Sequence, residues 1–120
     1  MRKLTDREVV MIAGLLDDHM NLYISKSAGV RMQIWSKSGP AMRLLGVITG
    51  NRIFRRDEGF SSVSIAKETT ILSLLEQCVP YMETQKPLAE TALEYLLADT
   101  IPKAEHCLLR LAIEMSTKDK

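Results

Sequence analysis

Three adjacent residues, Asp17, Asp18 and His19, place two carboxylates and an imidazole at the end of an amphipathic run, where together they could hold a divalent cation. Carboxylates near a helix C-terminus oppose the macrodipole, at a cost of about 0.3 to 1 kcal/mol each, so their presence calls for a local partner or a function. Asp17 can find that partner in backbone amides or a nearby basic group, and His19 fits equally well as a polar residue ending a helix. Magnesium or manganese is the cofactor implied if the site is catalytic. The other reading is that the three residues are structural.

The element carrying them starts at a capping box, because Thr5 can accept from the amide of Glu8 while Glu8 reaches back to the cap. Val9, Ile12, Ala13 and Leu16 then recur on one helical face, with Val10 and Gly14 on a second stripe suited to close approach by another helix. From Asn21 the period becomes two. Leu22 and Ile24 alternate with Tyr23 and Ser25, a turn falls at Ser27, Ala28 and Gly29, and Val30, Met32 and Ile34 alternate with Arg31, Gln33 and Trp35. Pro40 opens a helix carrying Met42, Leu44, Leu45, Val47 and Ile48, and Gly50 ends it. A second hairpin is expected over residues 51–56 and 60–67, turning at Asp57, Glu58 and Gly59, with Ile53, Val63 and Ile65 inward. Ile71, Leu72, Leu74, Leu75 and Cys78 make a helix that ends before Pro80. Pro87 opens another, with Leu88, Ala89, Ala92, Leu93, Leu96 and Leu97 inward, and Pro102 opens the last, with Leu108, Leu111, Ala112 and Met115 on one face.

The order helix, hairpin, helix, hairpin and three helices implies an α+β fold, a four-stranded antiparallel sheet with helices on its apolar face. The chain has 120 residues, 46% of them hydrophobic, enough for one real core. Sixteen basic and fifteen acidic residues give a net charge of +1, so any nucleic-acid binding must come from a local basic face. Cys78 and Cys107 sit in apolar helical patterns and read as buried reduced thiols. The absence of an apolar stretch of about 18 residues excludes a membrane-spanning helix and, with the charged N-terminus, leads to the expectation of a cytoplasmic protein.

The segment from Ile12 to Met20, read with this element order, resembles the signature of the LAGLIDADG homing endonucleases. Val79, Pro80, Tyr81 and Met82 followed by Gln85, Lys86 and Pro87 resemble the family's later pattern of an aromatic and proline and then a lysine pair. The resemblance covers residues 6–98, dividing the chain into a domain at 1–99 and a helical extension with a charged tail at 100–120. It implies DNA cleavage by metal ions held between two copies of the motif helix, each giving a carboxylate from the eighth position. Four positions depart from that pattern. Asp18 stands at the usually small seventh, His19 at the eighth, Met20 replaces the glycine of the ninth, and Gln85 replaces the first lysine, leaving Lys86. Imidazole is a poor substitute for carboxylate toward a hard cation. A homodimer in the family manner would bring together Val10, Gly14 and Asp18 of both copies, and paired Asp18 carboxylates would repel.

If the hairpins lie as in that family, the solvent side of the sheet presents Asn21, Tyr23, Ser25, Arg31, Gln33, Trp35, Lys37, Arg52, Arg56, Ser62 and Ser64. Arginine pairs with guanine, asparagine and glutamine with adenine, and lysine with phosphate, so this is a set fitted to reading a DNA groove. The leading expectation is a degenerate, non-cleaving protein that binds DNA or a nucleotide-containing ligand on its sheet. The alternatives are an active metal-dependent endonuclease with Asp17, Asp18, His19 and Lys86 in a rearranged site, and a module that binds a partner protein.

Overall fold

The capping box at the N-terminus forms as its residue types dictate. The Thr5 hydroxyl accepts from the Glu8 amide at 3.2 Å, and Glu8 accepts from the Thr5 amide at 2.9 Å. Arg2 adds two bonds of 2.7 Å to the Glu8 carboxylate. The helix that follows, α1, spans Asp6–His19 and buries Val9, Ile12, Ala13, Leu15 and Leu16. The computed structural model describes residues 1–25 and 29–118, without the side chains of residues 24, 25 and 114–118. Ser27 and Ala28 of the first turn, the side chains of Ser25, Ile24 and Met115, and the end of the charged tail therefore lie outside the described residues.

Strands β1 (Met20–Ser25) and β2 (Gly29–Ser36) form the first hairpin, helix α2 (Gly39–Thr49) follows, and β3 (Phe54–Arg55) and β4 (Ser61–Ile65) form the second. The sheet is antiparallel in the order β1-β2-β4-β3. Gly50 ends α2 at φ 71°, a left-handed conformation that glycine adopts without a Cβ penalty. The expected strand over 51–56 shrinks to two residues. One cause is visible, since the Asn51 side-chain amide donates to the Ser64 carbonyl at 3.1 Å, occupying an acceptor at this edge of the sheet. β4 also stops short, because Lys67 caps the next helix.

Helices α3 (Glu68–Cys78), α4 (Lys86–Leu96) and α5 (Ile101–Lys118) complete the chain, with a short 3-10 turn at Val79–Tyr81 where Pro80 breaks the helical path. The inner face of the sheet contributes Leu22, Val30, Met32, Ile34, Val63 and Ile65 to one core shared with Ile12, Leu16, Leu45, Ile71, Leu74, Leu75 and Leu111. Full burial of such a side chain contributes about 1.5 to 3 kcal/mol. The helical extension takes part in this core, since Leu111 of α5 is fully buried and Arg110 ties α5 to Glu94 of α4 at 2.6 Å. Two expected inward residues point out. Leu97 falls at the cap of α4, and Ala112 is exposed because the buried face of α5 runs through Cys107 and Leu111; Val47 lies on the exposed side of α2. Cys78 and Cys107 are buried free thiols, and burial pushes the Cys78 thiol up to about 12, far from a reactive thiolate. Among the described residues no helix is long and apolar enough to cross a membrane.

Candidate nucleic-acid interface

The outer face of the sheet follows from the period of two in β1 and β2. With Leu22, Met32 and Ile34 turned into the core, Tyr23, Arg31, Gln33 and Trp35 must face away from it. The register sets Asn21 opposite Gln33 and Gln33 opposite Ser64. The Tyr23 hydroxyl donates to Gln33 Oε1 at 3.1 Å, and Gln33 Nε2 donates to Ser64 Oγ at 3.4 Å. Both ends of the amide are thereby oriented while each keeps capacity for one more bond. Asn21, Tyr23, Arg31 and Ser64 are exposed.

A second cross-strand row places Trp35, Ser62 and Phe54 side by side. Here one expectation fails. Ser62 is only 1% exposed, because the aromatic neighbours and Arg56 cover it, and its hydroxyl accepts from Arg56 Nε at 2.9 Å. Ser62 therefore positions Arg56 rather than offering itself to a ligand. The Arg56 guanidinium lies 5.2 Å from the Trp35 ring centre and 5.5 Å from that of Phe54, and Arg52 lies 5.4 Å from Phe54. Lys37 lies 4.9 Å from the centre of the Phe60 ring. These cation–π contacts hold the cations over aromatic faces without neutralising their charge. Trp35 and Phe54 keep 37% and 44% of their surface in solvent.

Charge is divided along the chain in a way that the net value hides. Residues 20–67 carry eight basic and two acidic side chains, while the remaining residues carry eight basic and thirteen acidic ones. The two hairpins and α2 form a cationic half, and the helices an anionic half. This signal was present in the sequence, and averaging over the whole chain conceals it. Arg43 and Phe60 also belong to the cationic half and escape a reading confined to alternate strand positions.

The exit of α1 is built differently. Asp17 Oδ1 accepts from the Gln85 amide at 2.8 Å and Oδ2 from the Thr84 amide at 3.1 Å, so this carboxylate caps α4 from another helix. Burial raises its pKa, and the amides of Gln85, Thr84 and Glu83 together more than offset that, leaving it below the usual value. In return, the Gln85 side chain donates to the carbonyls of Leu16 at 3.2 Å and Asp17 at 3.1 Å, closing the end of α1. Gln85 is buried, and its side chain thus has a structural use. Asp18 and His19 are exposed, and Lys86, half-buried, opens α4 directly after Gln85. Met20 leaves α1 in an extended conformation with its side chain in the core, where no glycine geometry is required.

Asp17, Asp18 and His19 do not converge. Among the described residues no three His, Cys, Asp or Glu side chains could hold a metal ion together. Within one chain the donors are Asp17, whose two oxygens accept from amides, the exposed Asp18 carboxylate and the His19 imidazole, a set poorer in free carboxylate oxygen than a hard divalent cation prefers.

This helix-backed sheet superposes on solved structures. The archaeal intron-encoded homing endonuclease I-Vdi141I, complexed with DNA, aligns with a TM-score of 0.64 at 14% identity over 96% of this chain and 86% of that one. I-CvuI, a homing endonuclease in complex with a DNA target, gives 0.61 at 16% identity over 92% and 79%. The I-SmaMI LAGLIDADG homing endonuclease, bound to cleaved DNA, gives 0.51 at 16% identity over 94% of this chain and 42% of that one. The chain has the LAGLIDADG homing endonuclease fold. At these identities the likeness is one of fold. No protein-family model matches the sequence, and no curated protein does. In this chain Val10 and Gly14 of α1 and Tyr23, Arg31 and Trp35 on the outer face of the sheet are exposed.

Proposed function

We propose that this chain is a non-cleaving DNA-binding protein of the LAGLIDADG fold, which holds a duplex on the outer face of its sheet and pairs with a second copy through α1. The observation that carries the reading is the joined cationic, aromatic and amide surface of Arg31, Gln33, Trp35, Arg52 and Arg56 on the positively charged half of the chain. Such a surface supplies phosphate neutralisation from the arginines and base-edge contacts from the oriented Gln33 amide. The altered exit of α1 supports loss of cleavage, because Asp17 is committed to capping and His19 replaces a hard ligand.

Pairing through α1 is supported by Gly14. A glycine inside a helix costs about 0.5 to 1 kcal/mol relative to alanine. Here a Cβ at Gly14 would meet nothing within 4 Å, and its φ is not positive, so nothing inside the chain requires glycine. Close approach by the same face of a second copy accounts for it, with exposed Val10 and Asp18 beside it.

A mobility shift on a mixed-sequence duplex, repeated across salt concentrations, tests the binding. Affinity is expected to fall steeply as salt rises, with a log–log slope of about −4.5 if five phosphates are contacted. Light scattering should report a dimer. With magnesium or manganese the protein should leave the duplex intact, and nicking that Asp18→Ala abolishes would establish the active-nuclease reading instead. Restoration of the signature is best attempted by His19→Asp alone, because Met20→Gly would open a cavity in the core and cost several kcal/mol.

A further inference from the structure

Beside the sheet, between the first turn of α2 and the β3–β4 hairpin, lies a cavity of about 410 Å³ lined by Lys37, Arg43, Arg55 and Arg56 among others. We propose that this cavity binds a phosphate-bearing group with more than one negative charge. Four cationic residues line it, Arg56 with its guanidinium held on the outer face over Trp35 and Phe54, and none forms an ion pair with a carboxylate among the described residues. Asp57 and Glu58 sit in the adjoining turn but do not line it. Cations gathered in one concavity repel one another, and an anion of matching charge removes that repulsion.

The position of Arg43 is a separate observation. Its guanidinium folds back over the first turn of its own helix, so that a Cβ on Gly39 would stand 3.3 Å from Nη1. The N-terminus of a helix is its positive end, an unfavourable place for a cation unless an anion is shared between them. That turn holds no acidic residue, and Ser38 makes no side-chain capping bond to it. Arg55 reaches the cavity by register, since Phe54 shares the outer face with Ser62 and the next residue points to the opposite side. Guanidinium groups offer paired donors to phosphate oxygens, and several cations around one cavity favour a group of more than one negative charge over a single carboxylate.

The phosphate can come from a nucleic-acid backbone passing the edge of the sheet or from a free polyphosphate. Titration calorimetry with sodium tripolyphosphate and the mobility shift with the mixed-sequence duplex separate the sources. The full chain is compared with the double variant Arg43→Gln, Arg55→Gln and with the charge-keeping Arg43→Lys, Arg55→Lys. Both residues are exposed and make no hydrogen bond to other side chains among those observed, and an unchanged thermal midpoint confirms folding. For a free anion, tripolyphosphate binds the parent chain and weakens about tenfold or more in the glutamine variant, with partial recovery in the lysine variant. For a backbone phosphate, tripolyphosphate binding is negligible, and the salt slope of duplex binding becomes shallower by about two in the glutamine variant. If the glutamine variant matches the parent in both assays, the cavity is not a phosphate site, and duplex binding by both leaves the sheet reading intact. Tripolyphosphate binding lost in the glutamine variant, with no duplex binding by the parent, would uphold the cavity and refute the sheet reading.

Discussion

The outer face of the sheet and the exit of α1 use their polar groups in opposite ways. On the sheet, Arg56 and Arg52 rest on aromatic rings and keep their full charge toward solvent. At the exit of α1, Asp17 and Gln85 turn their hydrogen-bonding capacity inward, each completing the end of the other's helix. One region keeps cations in solvent, and the other joins helices. Within one fold, a cationic sheet face and a cluster that resembles a catalytic end can therefore be governed by separate physical demands.

The comparison breaks most readily at the arginines. Reversing Arg52, Arg55 and Arg56 to glutamate should lower duplex affinity about a hundredfold or more, as measured by fluorescence anisotropy, because phosphate contacts dominate such binding. Retained affinity would mean that the cationic half is not the binding half. At the other region, Asp17→Ala removes acceptors from the amides of Thr84 and Gln85. Urea denaturation should show a loss of about 1 to 3 kcal/mol, with duplex affinity unchanged once the protein is folded. A variant of full stability would show that the capping bonds contribute little and would reopen Asp17 to a chemical role.

Gly14→Ala sharpens the contrast further. In the single chain the added Cβ meets nothing, and stability at high dilution should rise by about 0.5 to 1 kcal/mol. Self-association, followed by sedimentation, should weaken at the same time. The smallest effect concerns acid. Arg2 and the Thr5 amide hold Glu8 at about 2, below its ordinary 4.5, so its contribution is fully present above about 4.5 and is lost as pH falls toward 2. Asp17, also held below its usual value, acts with the same sign. Acid titration of Glu8→Gln, followed by circular dichroism, should lack the part of this decline due to Glu8.

Much of the fold is legible because its instructions are local. Thr5 and Glu8 are three residues apart, Gly50 ends its helix by its own backbone freedom, and Leu22, Val30, Met32 and Ile34 declare a buried face by alternation. The side of the sheet on which Tyr23, Arg31, Gln33 and Trp35 stand follows from the same period. Ser62 shows the limit, since alternation places it on the outer face and only its neighbours across the sheet decide that it is covered.

The amino-acid order by itself determined the succession of helices and hairpins, the buried face of each, and the division of charge between residues 20–67 and the rest. Tertiary structure alone decided that Asp17 caps a helix almost seventy residues away, that Met20 belongs to the core, and that Arg43 and Arg55 share a cavity. The first group depends on periodicity and neighbours within a few residues. The second depends on which surfaces meet when the helices fold onto the sheet, and spacing along the chain carries no measure of that distance.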